Sequence, residues 1–114
     1  MELASSSAAR RAVLDGEARA AAAGDRVAFE RFYRATVARV ATLARRLLGR
    51  ERCEEAVQEV YLRAWRGLPS WRGEAGAATW LERLARNTLI HLVEKRAPLG
   101  TSEGDALAER AAPA

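Results

Sequence analysis

Two clusters hold the side chains of this 114-residue chain best suited to chemistry. The first is Glu55, Gln58, Glu59, Leu62 and Arg63, within the string CEEAVQEVYLRAW. The second is Trp71, Arg72, Gly73, Glu74 and Ala75, followed by Arg83, Arg86 and Asn87, within WRGEAGAATWLERLARN. Neither is built for covalent catalysis. No nucleophile stands paired with a base. Glu54 and Glu55 are adjacent, so on a helix they point to different sides and form no carboxylate pair. Cys53 is the single cysteine and His91 the single histidine, too few for a zinc site. No glycine loop has phosphate-cradling spacing, and no cofactor motif is present. The chain is therefore not expected to be an enzyme. The chemistry on offer is recognition. Acids and an amide around a leucine form a small docking patch for a basic partner. Arginines and an asparagine on one helical face are donors for phosphates and base edges. Trp71 beside Arg72 suits two roles equally, stacking on an unpaired base or plugging the core.

Helices must position these clusters. Strand signals are nearly absent, while alanine, leucine, arginine and glutamate favour helix. At ~100° per residue, the segment from about Arg52 to Arg66 splits into two faces. Ala56, Val57, Val60, Tyr61, Ala64, Trp65 and Leu68 make a core stripe. Opposite lie Glu55, Gln58, Glu59, Leu62, Arg63 and Arg66. A solvated face accounts for most of the second set, and a Glu59–Arg63 pair at i,i+4 adds a few tenths of a kcal/mol, roughly. It does not account for Leu62 at its centre. The following helix starts near Thr79, a suitable N-cap, and ends before Pro98. Trp80, Leu81, Leu84, Ala85, Thr88, Leu89 and Leu92 face inward, and Arg83, Arg86, Asn87, Ile90 and Glu94 outward. His91 sits at the boundary. Gly67 to Ala77 reads as a loop.

Upstream, a helix from about Arg26 to Leu48 carries Phe29, Phe32, Tyr33, Val37, Val40, Ala44 and Leu47 at three- and four-residue steps. Asp25 is its N-cap and Gly49 its stop. Residues 8 to 23 form a helix whose face is almost all alanine, expected to be marginal or to dock loosely. Leu99 to Ala114 has no stripe and reads as a linker or disordered tail. The expected fold is all-α, a compact bundle of three main helices plus a weaker N-terminal helix. The expected parts are an extension over 1–23, a domain over 24–98 and a tail over 99–114.

Charge is distributed unevenly. The formal net charge is +4, and 18 of the 19 basic residues are arginine. Arg26 to Arg50 holds seven arginines and one acid. Glu51 to Val60 holds four acids and one arginine. Tyr61 to Arg96 holds seven basic residues and three acids. An acidic island between basic segments implies two kinds of partner. No apolar run approaches the length of a membrane span, so no membrane insertion is expected. The lone thiol and the lack of a signal peptide point to a cytoplasmic protein.

The strings GDRVAFERFYRATVARVATLARRLL, CEEAVQEVYLRAW, WRGEAGAATWLERLARN and EKRAP resemble region 2 of bacterial extracytoplasmic-function sigma factors. The resemblance covers roughly Gly24 to Pro98. It implies that Glu55, Gln58 and Glu59, with Leu62 and Arg63 nearby, dock on the β′ clamp coiled coil of core RNA polymerase. It implies that Trp71, Arg72, Gly73, Glu74 and Ala75, with Arg83, Arg86 and Asn87, recognise and help melt the promoter −10 element. It also implies that a base of the non-template strand flips out and is held by the loop. An anti-sigma factor is a further implied partner. The alternative is a sigma-like interaction module that binds an anti-sigma factor or the clamp without opening DNA. Four departures bear on this. Glu55 replaces the family's aspartate, Ala77 and Ala78 stand where an aromatic is usual, His91 replaces a common aspartate, and Glu94 stands where basic residues are frequent. The family also carries a helix-turn-helix, region 4, which nothing after Pro98 is expected to form.

Overall fold

The computed structural model describes residues 2–95. It contains α1 (Glu2–Ala22), α2 (Arg26–Leu48), α3 (Arg50–Gly67), a 3₁₀ turn (Leu68–Ser70) and α4 (Ala77–Lys95), with no strand among the described residues. The all-α bundle expected from periodicity is the observed fold. The tail expected from Leu99 onward lies outside the described residues.

Local chemistry sets the boundaries. The end of α1 closes with the Asp25 N–H on the Ala20 carbonyl at 3.0 Å and the Gly24 N–H on the Ala21 carbonyl at 2.9 Å, the crossed pair of a Schellman ending. Asp25 then caps α2. Its Oδ1 accepts the N–H groups of Val27 and Ala28 at 3.0 and 3.1 Å. At the far end Gly49 adopts φ +83°, a left-handed conformation that a side chain would strain, and its N–H bonds Arg45 O at 2.9 Å. That one residue ends α2 and starts α3, so the two helices form a tight hairpin.

The core lies between α2, α3 and α4. Phe32, Val60, Leu68, Leu89 and Leu92 are among its fully enclosed side chains. Aromatics fill the α2–α3 seam. Phe29 meets Trp65 edge to face at 5.1 Å, and Tyr33 meets Tyr61 at 4.7 Å. The Tyr61 hydroxyl and Thr36 Oγ1 lie 2.6 Å apart in the interior. Thr36 Oγ1 donates its one proton to Phe32 O at 2.8 Å, so Tyr61 is the donor in their shared bond. Burial pushes the Tyr61 phenol up to about 12.

Two features differ from expectation. The last helix begins at Ala77, not Thr79, and Thr79 is exposed within its first turn. The N-cap position, Gly76, has no side chain. The acceptor comes from α1 instead, where Asp15 Oδ1 takes the Ala77 N–H at 2.8 Å. The first helix also docks more closely than an alanine face implied. Ala18 and Ala21 are buried, Leu14 packs on the core, and α1 touches α2, α4 and the 3₁₀ turn. Small side chains bury little area each, but they let the helix axes approach closely enough for dense contact.

Candidate functional site

The outward face of α3 is a leucine set among acids. Leu62 is 45% exposed among polar neighbours. Glu55 and Gln58 are exposed beside it, with Glu51 and Glu54 on the same helix also exposed. Glu59 sits at the edge of this face, half-buried. Arg63, expected on the outer face, is buried. Its Nε donates to Glu59 Oε2 at 2.8 Å, with side chains 5% and 15% exposed respectively. The physical reason is its place at the margin of the stripe. The aliphatic stem runs along apolar surface while the head is neutralised by Glu59 one turn back. The accessible patch is therefore Glu55, Gln58 and Leu62, with Arg66 exposed one turn beyond Leu62. Beside it runs a groove between α2 and α3, lined in part by Tyr33, Val37, Cys53, Val57 and Gln58.

The loop between α3 and α4 is folded around Trp71. Leu68 anchors its start in the core, and the Trp71 N–H bonds Leu68 O at 2.9 Å. The Trp71 indole N–H donates to Ala75 O at 2.9 Å. The ring packs against the core, with the Arg19 guanidinium 5.7 Å from its centroid. Of the two readings of Trp71, this geometry makes it the inner wall of the loop. Gly73 turns the chain at φ +80°. Arg72, Gly73 and Glu74 form the exposed rim, and Ala75 is half-buried.

On α4 the outward face carries Arg83, Arg86, Asn87, Ile90 and Glu94, all exposed. Arg86 Nη2 lies 3.5 Å from Glu82, and His91 Nδ1 lies 3.8 Å from Glu94. At 46% exposure Ile90 gives this face an apolar centre, as Leu62 does for α3. The side chains at 77 and 78 are small and turned inward, with Ala77 fully buried and Ala78 half-buried.

The structure also gathers residues that sequence reasoning passed over. Arg39 and Arg46 of α2 meet Arg86 of α4 along a groove of about 310 Å³ whose floor includes Val40, Leu43, Leu81 and Ala85. A seven-residue spacing places Arg39 and Arg46 on one side of α2, a signal available in the sequence. Asp15 and Arg19 reach the loop from α1, and no local signal marks them. Among the described residues no three His, Cys, Asp or Glu side chains are placed to hold a metal ion. Among the described residues, no helix is long and apolar enough to cross a membrane.

A family model, Sigma-70 region 2, matches residues 32–98. That span is more than half of the chain and contains α3, the loop and α4. The chain belongs to the Sigma-70 region 2 family. Among similar proteins is the ECF RNA polymerase sigma factor SigG of Mycobacterium tuberculosis, 42% identical over 53 residues, or 45% of this chain and 14% of that protein. The ECF RNA polymerase sigma-E factor of Haemophilus influenzae is 38% identical over 65 residues, covering 57% of this chain and 34% of that one. Its Escherichia coli K12 counterpart is 37% identical over the same shares. The matched stretch thus spans about a third or less of each relative's length. No solved structure matches the chain. Every residue of the two region 2 clusters lies inside the family match, whereas α1 lies outside it.

Proposed function

We propose that this domain is a transcription-initiation module that docks on core RNA polymerase through α3 and engages the promoter −10 element through the loop and α4. The observation that carries the reading is the pairing of two unlike faces on one small region 2 domain. One is acidic around exposed Leu62, and the other is arginine- and asparagine-bearing beside a preformed loop. The acidic face is complementary to a basic partner such as the β′ clamp coiled coil, and burying Leu62 supplies its apolar centre. The rim residues Arg72, Gly73 and Glu74 hold a flipped non-template base, with Trp71 as the wall behind them and Ala75 fastening the loop. Arg83, Arg86 and Asn87 contact the adjoining strand. No bond to substrate is made or broken by this domain, and it acts in the bacterial cytoplasm.

The test is co-purification with core polymerase. The combined variant Glu55→Ala, Gln58→Ala, Leu62→Ala loses it while remaining folded. Undiminished binding by that variant removes the docking assignment.

A second reading has one specific support. Ala77 and Ala78 point inward and are small, so the start of α4 presents no aromatic wedge to a base step. The aromatic of the first turn is instead Trp80, half-buried. On that reading the domain binds an anti-sigma factor or the clamp without opening DNA. Promoter opening by the domain with core polymerase separates the two, since only the first reading produces unpaired thymines around the start site.

A further inference from the structure

We infer that Asp15 and Arg19 of α1 are positioning residues that hold the recognition loop in its working shape, so that α1 serves as a brace for nucleic-acid binding. The inference rests on the assignment of that loop to the −10 element, and it adds a role for a helix outside the region 2 match.

The two residues are one helical turn apart and reach opposite ends of the same loop. At the loop's start, the Arg19 guanidinium lies 5.7 Å from the Trp71 ring centroid. At its end, Asp15 Oδ1 accepts the Ala77 N–H at 2.8 Å across a sequence separation of 62. Between them the Trp71 indole N–H bonds Ala75 O at 2.9 Å. The path Arg19–Trp71–Ala75 and the contact Asp15–Ala77 thus fasten both ends while Arg72, Gly73 and Glu74 stay exposed. Gly76 offers no side chain to cap α4, and a Cβ at that position would lie 3.7 Å from Asp15 Oδ1. The carboxylate therefore sits over the first turn of α4, where the helix dipole favours negative charge. Van der Waals packing reinforces the placement, since α1 touches both the 3₁₀ turn and α4.

A loop that must hold an extruded base gains affinity when it is ordered beforehand, because the ordering entropy is not lost on binding. Loosening either fastening lowers affinity for unpaired DNA and leaves the α3 patch untouched. That selectivity distinguishes positioning from a general contribution to stability.

The experiment compares Asp15→Ala, Asp15→Asn, Arg19→Met and Arg19→Lys in the full chain. Three readouts are taken: binding to a single-stranded −10 oligonucleotide, binding to core polymerase, and amide hydrogen exchange over residues 71–78. Asp15→Ala and Arg19→Met are expected to bind the oligonucleotide about two- to tenfold more weakly, with polymerase binding unchanged and faster exchange confined to 71–78. Asp15→Asn keeps an acceptor oxygen and Arg19→Lys keeps a cation, so both restore binding. Arg19 is exposed, so Arg19→Met does not disturb the core even where Asp15→Ala does. Wild-type oligonucleotide affinity in both Asp15→Ala and Arg19→Met overturns the brace. Equal losses toward both partners, with exchange rising throughout the bundle, also overturn it. A wild-type chain that binds no −10 oligonucleotide removes the loop's assignment. The brace is then decided by exchange alone, supported by local acceleration at 71–78 and overturned by none.

Discussion

Glu59 accepts the Arg63 Nε proton at 2.8 Å, with the arginine side chain only 5% exposed. Two acids four residues apart on α3 therefore do different work. Glu59 neutralises a buried cation, while Glu55 stands in solvent. Glu59→Ala removes the charge-assisted hydrogen bond to Arg63 and should cost about 1.5–3 kcal/mol of stability. Glu55→Ala should cost almost nothing. Urea unfolding of the two variants checks this, and equal midpoints would sink it. A docking loss in Glu59→Ala is therefore interpretable only beside its unfolding curve.

Alkaline stability should depend on Tyr61. An unfolded tyrosine ionises near 10.0, whereas burial holds the folded phenol neutral up to about 12. Between those values the unfolded chain has lost a proton that the folded chain keeps. Stability contributed by this group is complete below pH 10 and falls as pH rises toward 12. The total loss is about 2–3 kcal/mol. Tyr61→Phe removes the slope. The check is the difference between wild-type and Tyr61→Phe unfolding free energies across that range. A difference that does not change with pH contradicts the assignment.

Thr88 is fully buried in α4, and its hydroxyl has no hydrogen-bond partner among the described residues. An unsatisfied buried hydroxyl is a standing cost. Thr88→Val keeps the shape and removes the polar atom, so it should stabilise by about 1 kcal/mol. Thermal unfolding reads this directly, and a lowered melting temperature would show that the hydroxyl is satisfied in solution.

Much of this molecule is readable along the chain, because its large side chains repeat at helical spacing. Phe32, Val40, Val60, Leu81 and Leu89 each announce an inward face, and Asp25 and Gly49 announce a start and a stop. Arg63 is less legible. It lies at the margin of its stripe, where a long stem can be drawn inward once Glu59 is available to meet it. The docking of α1 is less legible still, since alanine marks neither a core nor a surface. Asp15 and Ala77 illustrate the limit. Their bond joins residues 62 apart, and nothing near either one in sequence signals the other. Trp71 has two sound readings until Arg19 and Ala75 are seen around it. Exposed Leu62 could be noticed in sequence, but what covers it in a complex is a matter for its partner.

If α4 engages the −10 element as proposed, its outward face should sort into base readers and phosphate contacts, and the sorting can be measured. Asn87 is exposed and presents both a donor and an acceptor, the pair that an adenine edge matches. Asn87→Ala should weaken binding to a matched single-stranded −10 oligonucleotide by about 1–3 kcal/mol and a scrambled one much less. Arg83 is exposed and makes no ion pair among the described residues, so its charge is available to a phosphate. Arg83→Ala should weaken both oligonucleotides alike and reduce the dependence of affinity on salt by about one counterion. Arg86 shares its charge with Glu82 at 3.5 Å, so Arg86→Ala should have the smaller effect of the two arginine changes. Binding titrations at several salt concentrations resolve all three. Loss of sequence discrimination in Arg83→Ala, with Asn87→Ala acting uniformly, would reverse the two roles and move base reading one turn toward the loop.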